Sequence, residues 1–372
     1  MHVLVVNAGS SSLKVRLLDP DDEVVARFDL GEWGGAHETE ELTEFIGGLA
    51  RVDAVGHRIV HGGAEFTAPA MLDGDTRHRI AALAELAPLH QPRGVAGIDT
   101  VAGALPDTPA VACFDTAFHH DLPAAAATYA LPREWNRRWR LRRYGFHGLS
   151  HAYAARRAAS MLDRADLRMV SCHLGAGASL AAVHSGRSVD TTMGFTPLDG
   201  LVMATRPGSV DPGLLLWLLR HAGVDGERLA DVLDHRSGLA GLTGGSGDMR
   251  DVVRSLGADG TDTGTTAAAA FGVYVHRLRR EIAAMAAAMD GIDVLVFTGG
   301  VGEHQPRVRA AAVAGLGFLG IRLDHAANDS ANDTATTDAD ITAAGVPVRT
   351  LVINAREDRE IARQTRATIK AG

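Results

Sequence analysis

The chain has 372 residues, 46% hydrophobic and 22% charged, with a formal net charge of -8. That composition fits one large folded domain or two ordinary ones, so a disordered chain is not the default. The acidic balance argues against a nucleic-acid footprint, which needs a dense basic face. The apolar start VLVV is too short for a signal peptide, and no run of about 18 apolar residues is present, so no membrane partner is expected.

The first expected element is a strand over Val3–Asn7, closed by the turn Ala8-Gly9-Ser10-Ser11-Ser12. Lys14–Leu18 and Glu23–Leu30 continue a meander of short strands. Lys14 is one of only two lysines, the other being Lys370. Val52–Val60 reads as a further strand that ends at His61-Gly62-Gly63. Ala110–Phe114 reads as a buried strand running into Asp115, and His151–Leu162 has helical spacing. Cys113 and Cys172 both sit in apolar runs and read as buried thiols of a reducing cytoplasm, with a bridge left open.

The opening then recurs. Arg168–Leu174 is an apolar strand ending in Gly175-Ala176-Gly177-Ala178-Ser179-Leu180, as the first strand ends in Asn7-Ala8-Gly9-Ser10-Ser11-Ser12-Leu13. The repetition points to a duplicated fold with one phosphate-type turn per half. Helices are expected over Asp211–His221, Gly226–Asp234 and Thr265–Met289. The strand Asp293–Phe297 follows, closed by Thr298-Gly299-Gly300-Val301-Gly302. His325–Asp340 reads as a polar surface loop, Val346–Ile353 as a last strand and Arg356–Ile369 as a last helix. Alternating strands and helices indicate α/β architecture. The boundary falls near residue 150, giving halves 1–150 and 151–354, with the last helix (about 355–372) returning to the first half.

Residues 7–14, 173–179 and 298–304 combine strand ends, glycines and small polar residues. Such turns let backbone N–H groups approach an anion, although each alone could be a tight hairpin turn. No GxxxxGK[ST] loop is present, and no protein-kinase lysine and HRD set. Turns belonging to hairpins rather than strand–helix junctions mark the actin, Hsp70 and sugar-kinase superfamily. Histidines cluster at His57/His61, His90, His119/His120 and His147/His151, without HExxH or zinc spacing. Arg58 and Arg206 lie in glycine-flanked segments; each could be a surface arginine, but phosphoryl transfer needs such guanidinium donors.

The motifs VNAGSSSLK, GHRIVHGG, APLHQP, CFDTAFH, RRYGFHG, HLGAGAS, DTTMGFTPLDGLVMATR, SGLAGLTG, DMRD and FTGGVGE run in order along nearly the whole chain, and together they resemble the acetate kinase family. The resemblance implies two related actin-like (ribonuclease H-like) domains with a nucleotide cleft between them. It implies phosphoryl transfer between ATP and acetate, giving acetyl phosphate and ADP, in a cytoplasmic homodimer using Mg²⁺, with Mn²⁺ as an alternative. Asn7 and Glu357 would hold the metal, and Ser10, Ser12 and Lys14 would line the phosphate site. Arg58 would bind the acyl group, Asp115 would be the active-site acid, and His147 and Arg206 would stabilise the transition state, with His90 nearby. Val60, Leu89, Phe146 and Pro197 would enclose the acyl methyl group. Ser171, Cys172, His173, Leu174 and Gly175, then Asp248, Met249 and Arg250, then Gly300, Val301, Gly302, Glu303 and His304, would contact the nucleotide.

The sequence departs from the family pattern at Ala176, Gln91, Leu149, Pro207 with Ser209, and His304, which bears on nucleotide preference. A carboxylic acid is already ionised near pH 7, so the acceptor needs no general base, and Asp115 is better read as an orienting or metal-contacting group. A propionate or butyrate kinase is the alternative within enzymes, since one methylene changes binding by only about 1–3 kcal/mol. A chaperone or filament ATPase is the alternative outside them.

Overall fold

The computed structural model describes residues 1–9, 12–31, 39–88, 90–257, 266–331 and 338–372. The chain forms two compact units. The first comprises Met1–His120, Phe146–Tyr153 and Arg356–Gly372, and the second Asp121–Gly145 and Ala154–Ala355. Residues 121–145 precede the expected boundary yet belong to the second unit. Tyr144 N donates to Gly194 O at 3.0 Å and Arg143 Nη1 to Thr192 O at 2.9 Å, which ties that segment there.

The first unit holds six strands: β1 (Val3–Ala8), β2 (Leu13–Leu18), β3 (Val24–Leu30), β4 (Ala54–Ile59), β5 (Ala70–Met71) and β6 (Ala110–Phe114). Their order is β3-β2-β1-β4-β6-β5. β1 pairs antiparallel with β2 and parallel with β4, so it is central. Both its faces are covered, which explains an uninterrupted apolar run rather than an alternating one. Leu4 and Val6 pack with Leu42, Ile46 and Val101 from the helices Thr39–Gly47 and Gln91–Ala104. Val3 and Val5 point the other way, onto Ile361 and Ala362 of the helix Glu357–Ala371. That helix lies close on β4 because position 56 is glycine: a Cβ there would fall 2.4 Å from Thr365 Oγ1.

The second unit repeats the plan with β7 (Arg168–Leu174), β8 (Ala178–His184), β9 (Arg187–Thr191), β10 (Val294–Thr298), β11 (Ala339–Asp340) and β12 (Arg349–Val352). Its order is β11-β12-β10-β7-β8-β9. β7, β8 and β9 form the antiparallel meander and β10 joins β7 in parallel, as β4 joins β1. β12 then runs parallel to β10 with β11 antiparallel at the edge, as β6 and β5 do in the first sheet. The duplication expected of an actin-like α/β fold is therefore present strand for strand.

Two local expectations are corrected. The third glycine turn is not a hairpin: β10 runs directly into the helix Gly299–His304. Glu303 Oε1 accepts from Gly299 N at 2.8 Å, satisfying one of the donors a helix start leaves open. His325–Asp340 is not simply a loop, because His325–Ser330 is helical, capped by Asp324 on Ala327 N, and β11 follows. Cys113 and Cys172 are free and buried. Among the described residues, no helix is long and apolar enough to cross a membrane.

Candidate active site

In the first unit, β1, β4 and β6 run parallel or nearly adjacent, and their C-terminal ends deliver Asn7, Arg58 and Asp115 to one place. Arg58 donates to Asp115 Oδ2 from Nη2 at 2.6 Å and from Nε at 3.1 Å. Its Nη1 reaches Asn7 Oδ1 at 3.0 Å. Asn7 Nδ2 in turn donates to Glu357 Oε2 at 2.8 Å, and that oxygen is 3.9 Å from Arg58 Nη1. Four of the expected residues thus form one hydrogen-bonded cluster. A guanidinium carries five N–H donors, so Arg58 keeps donors for an incoming anion. Burial opposes charge on Arg58, but the Asp115 and Glu357 carboxylates outweigh it and raise its pKa. Burial also pushes the Asp115 carboxyl up, to about 6, against the pull of Arg58.

Asp115 Oδ1 is buried and, among the described residues, has no hydrogen-bond partner. Such an orphaned acceptor is costly unless a ligand or hydrated ion meets it. No group of three or more His, Cys, Asp or Glu side chains stands close enough to hold a metal alone among the described residues. Magnesium, however, commonly takes one or two carboxylates with water and substrate phosphates. Asp115 Oδ1 with Glu357 fits that demand.

The motif Phe146-His147-Gly148 is pinned against Asp115. Gly148 N donates to Asp115 O at 3.0 Å, and a Cβ at Gly148 would sit 2.0 Å from that oxygen. His147 has φ +56°, an uncommon backbone state for a side chain of its size. Val60 and Phe146 are buried, and the Phe146 ring meets His61 edge-on at 5.4 Å. His119 Nε2 lies 3.1 Å from Phe146 O. Gln91, where the family pattern has asparagine, donates to His61 O at 2.9 Å and so braces the same segment. Gly9 N donates to Ser12 O at 2.7 Å to close the first glycine turn, and Lys14 faces Asn7 across the β1–β2 register. His90 precedes the helix Gln91–Ala104. Ser10 and Leu89 lie outside the described residues.

The second unit contains a cavity of about 550 Å³, a size usual for small-molecule sites. Gly175, Asp248, Met249, Arg250, Gly300, Val301 and His304 line it, together with the family departure Ala176. Gly299 brings the second and third turns together: at φ +76°, its Cβ position would be 2.8 Å from Leu174 O. Asp248 caps the following helix on Arg250 N at 2.8 Å and binds the Arg250 guanidinium, fixing both side chains at the rim. Other expected nucleotide contacts are placed differently. Ser171, Cys172 and Leu174 are buried within β7, and His173 belongs to the same strand; none of these lines the cavity. Gly302 is buried against β10, and Glu303 spends Oε1 on Gly299 N and Ala355 N, each at 2.8 Å.

Arg206 is part-buried and donates from Nη1 to Pro197 O at 2.8 Å, joining two expected residues. Burial pushes its pKa down from the ordinary value, with Asp234 opposing. Gly208 (φ +72°) lets this segment approach Gly200, and Ser209 Oγ donates to Asp199 Oδ1 at 2.6 Å, which gives the unusual Pro207-Gly208-Ser209 stretch a structural use.

Tyr274 and Arg309 are among the contributors that escaped the sequence reading. Tyr274 lines the cavity from the helix Thr266–Ala287. Arg309 is fully buried and donates from Nη1 to Gly302 O and Glu303 O at 2.8 and 2.7 Å, holding the end of the helix Gly299–His304. The signal for Arg309 was its place among Val308, Ala312 and Val313, all on buried positions of one helix.

The acetokinase family model matches residues 36–363. The acetate kinase of Gloeobacter violaceus is 47% identical over 408 residues, covering 98% of each chain. The crystal structure of Porphyromonas gingivalis acetate kinase superposes with a TM-score of 0.89 at 32% identity, covering 99% of both chains. A propionate kinase from Francisella tularensis subsp. tularensis superposes equally well, with a TM-score of 0.89 at 33% identity over 98% of this chain and 99% of that one.

Proposed function

The chain belongs to the acetokinase family, and from that premise we propose that it catalyses reversible phosphoryl transfer between ATP and acetate by direct in-line displacement. The observation that carries this reading is the Arg58 cluster, in which a guanidinium with donors to spare is held rigid by Asp115 and Asn7. The chemical difficulty is bringing a carboxylate up to a polyanion. Arg58, Lys14, His147 and Arg206 supply compensating charge or donors, and a well-placed arginine in such reactions contributes roughly 10³–10⁵ in rate. Asp115 orients Arg58 rather than removing a proton, because the acceptor is already ionised. Asn7, Asp115 and Glu357 would hold Mg²⁺, which when bound neutralises charge on the phosphoryl oxygens. Gly175, Asp248 to Arg250, Gly300, Val301 and His304 bind the nucleotide, and Val60, Phe146 and Pro197 enclose the acyl methyl group. The test is a hydroxamate assay across C1–C4 acids with ATP, GTP and pyrophosphate as donors; activity that does not require a short acid sinks the reading.

A propionate preference is the second reading, favoured by the likeness to the Francisella propionate kinase. Family membership sets aside the chaperone or filament ATPase. The enzyme works in the cytoplasm, in keeping with its two unbridged buried thiols. It acts as a homodimer. The helix Pro212–His221 has no buried residue, yet exposes Leu214, Leu216, Trp217 and Leu219. An apolar face of that kind is what homodimers cover. Trp217→Arg should halve the mass seen by sedimentation equilibrium; an unchanged mass places the interface elsewhere.

A further inference from the structure

His57 precedes Arg58 in β4, and successive strand residues point to opposite faces of the sheet. On the His57 side a second cleft opens, of about 280 Å³, near the lower edge of the range for ligand pockets, and it lies wholly within the first unit. No residue assigned to phosphoryl transfer lines it. Its walls are mostly apolar, with Val55, Ile98, Val101 and Leu105 around His57.

His57 is only 2% exposed. It lines the cleft, so a molecule held there can reach its imidazole. Burial alone lowers its pKa to about 4, so the ring is neutral and offers one donor and one acceptor nitrogen. The charges at the rim are already spent. Arg77 binds Asp99 through Nε at 2.7 Å and Nη2 at 2.5 Å, and Asp73 caps Thr76 N at 2.7 Å. An anion would find no uncommitted cation there, and a cation would find no uncommitted carboxylate pair.

We propose that this cleft is a binding site for an uncharged, largely apolar, one-ring molecule that bears a hydroxyl, with His57 as its hydrogen-bond partner. A hydroxyl both donates and accepts, so it suits either tautomer of the imidazole. The site backs directly onto the strand that carries Arg58, which makes it distinct from the acyl and nucleotide sites.

Calorimetric titration of phenol into the full-length protein, with no ATP or acid present, tests this apart from the kinase reading. Toluene, which lacks the hydroxyl, and benzoate, which carries charge, serve as comparison probes. His57→Leu removes the partner, and Ala102→Phe fills the mouth of the cleft from an exposed position, so it serves if His57→Leu fails to fold. Phenol should bind the wild type, and binding should weaken at least tenfold in either variant. Toluene and benzoate should bind the wild type at least tenfold more weakly than phenol. No phenol binding, binding unchanged in Ala102→Phe, or benzoate binding as well as phenol overturns the assignment.

Discussion

Arg58 places two of its nitrogens on a single oxygen of Asp115, Nη2 at 2.6 Å and Nε at 3.1 Å, and among the described residues the other carboxylate oxygen has no hydrogen-bond partner. The pair is therefore asymmetric: one oxygen fixes the arginine, and the second is reserved.

This asymmetry separates stability from activity. Removing one member of a buried ion pair strands the other charge and costs about 3–5 kcal/mol, whereas replacing both with apolar groups can be nearly neutral. Asp115→Ala should therefore lower both the unfolding free energy and kcat, the latter by at least about 10². The double variant Arg58→Met, Asp115→Leu should regain much of the stability and none of the activity. Urea denaturation beside steady-state kinetics checks this; a double variant as unstable as Asp115→Ala would mean the pair is not the electrostatic unit described.

The sequence made the central strands of both halves legible because their apolar runs are short and bounded by glycine turns, whereas β5, β9 and β11 are too short or too polar to stand out. The cluster itself was legible only as separate motifs, since Asn7 and Glu357 bond across 350 residues of chain. Gly299–His304 was misread because its glycines look like a hairpin turn; what starts a helix there is a side chain four residues on, Glu303, returning to Gly299 N. The helix Thr39–Gly47 escaped notice because only Leu42 and Ile46 mark its buried side. That Arg309 holds the carbonyls of Gly302 and Glu303 could not be read from side-chain pattern, since those partners are backbone atoms.

Arg206 has one donor committed to Pro197 O and no carboxylate contact within ion-pair distance among the described residues. A guanidinium so placed is free to bond charge that develops during reaction. Arg206→Ala should lower kcat by at least about 10³ with a small change in acetate KM, the pattern of a transition-state contact. Arg58→Ala should raise the acetate KM as well. An Arg206→Ala enzyme retaining a tenth of wild-type kcat/KM would remove it from the reaction.

Acid should destabilise the protein in a defined window. Burial lowers His57, His61 and His119 from 6.5 to about 4. The unfolded chain thus binds protons between pH 6.5 and 4 that the folded chain does not, so the stability these groups give is complete above 6.5 and lost as pH falls towards 4. Each can contribute at most about 1.4 kcal/mol per pH unit. Asp115 acts with the opposite sign, because its folded pKa is raised from 3.8 to about 6 and the folded state binds the extra proton there. Three groups outweigh one, so the urea midpoint should fall from pH 7 to 4.5, and less steeply in His119→Gln. A flat profile would mean that the histidines are not held neutral.

The acceptor pocket gives the last test. Val60 is 7% exposed and follows β4 directly, and Phe146 is 2% exposed beside His61. If these residues line the acyl site as proposed, they would reject a longer acid by shape and offer a sugar hydroxyl nothing to bond. Trimming Val60 to alanine opens space for one or two carbons, and an apolar pocket discriminates one methylene by about 1–3 kcal/mol. Val60→Ala should therefore raise kcat/KM for propionate relative to acetate by up to about tenfold. The ATP KM should stay nearly constant, because Val60 does not line the cavity proposed for the nucleotide. Measuring both acids with both enzymes decides the matter. If the ratio does not move, Val60 does not touch the acyl group, and the choice between acetate and propionate has to be sought at Phe146 or Pro197.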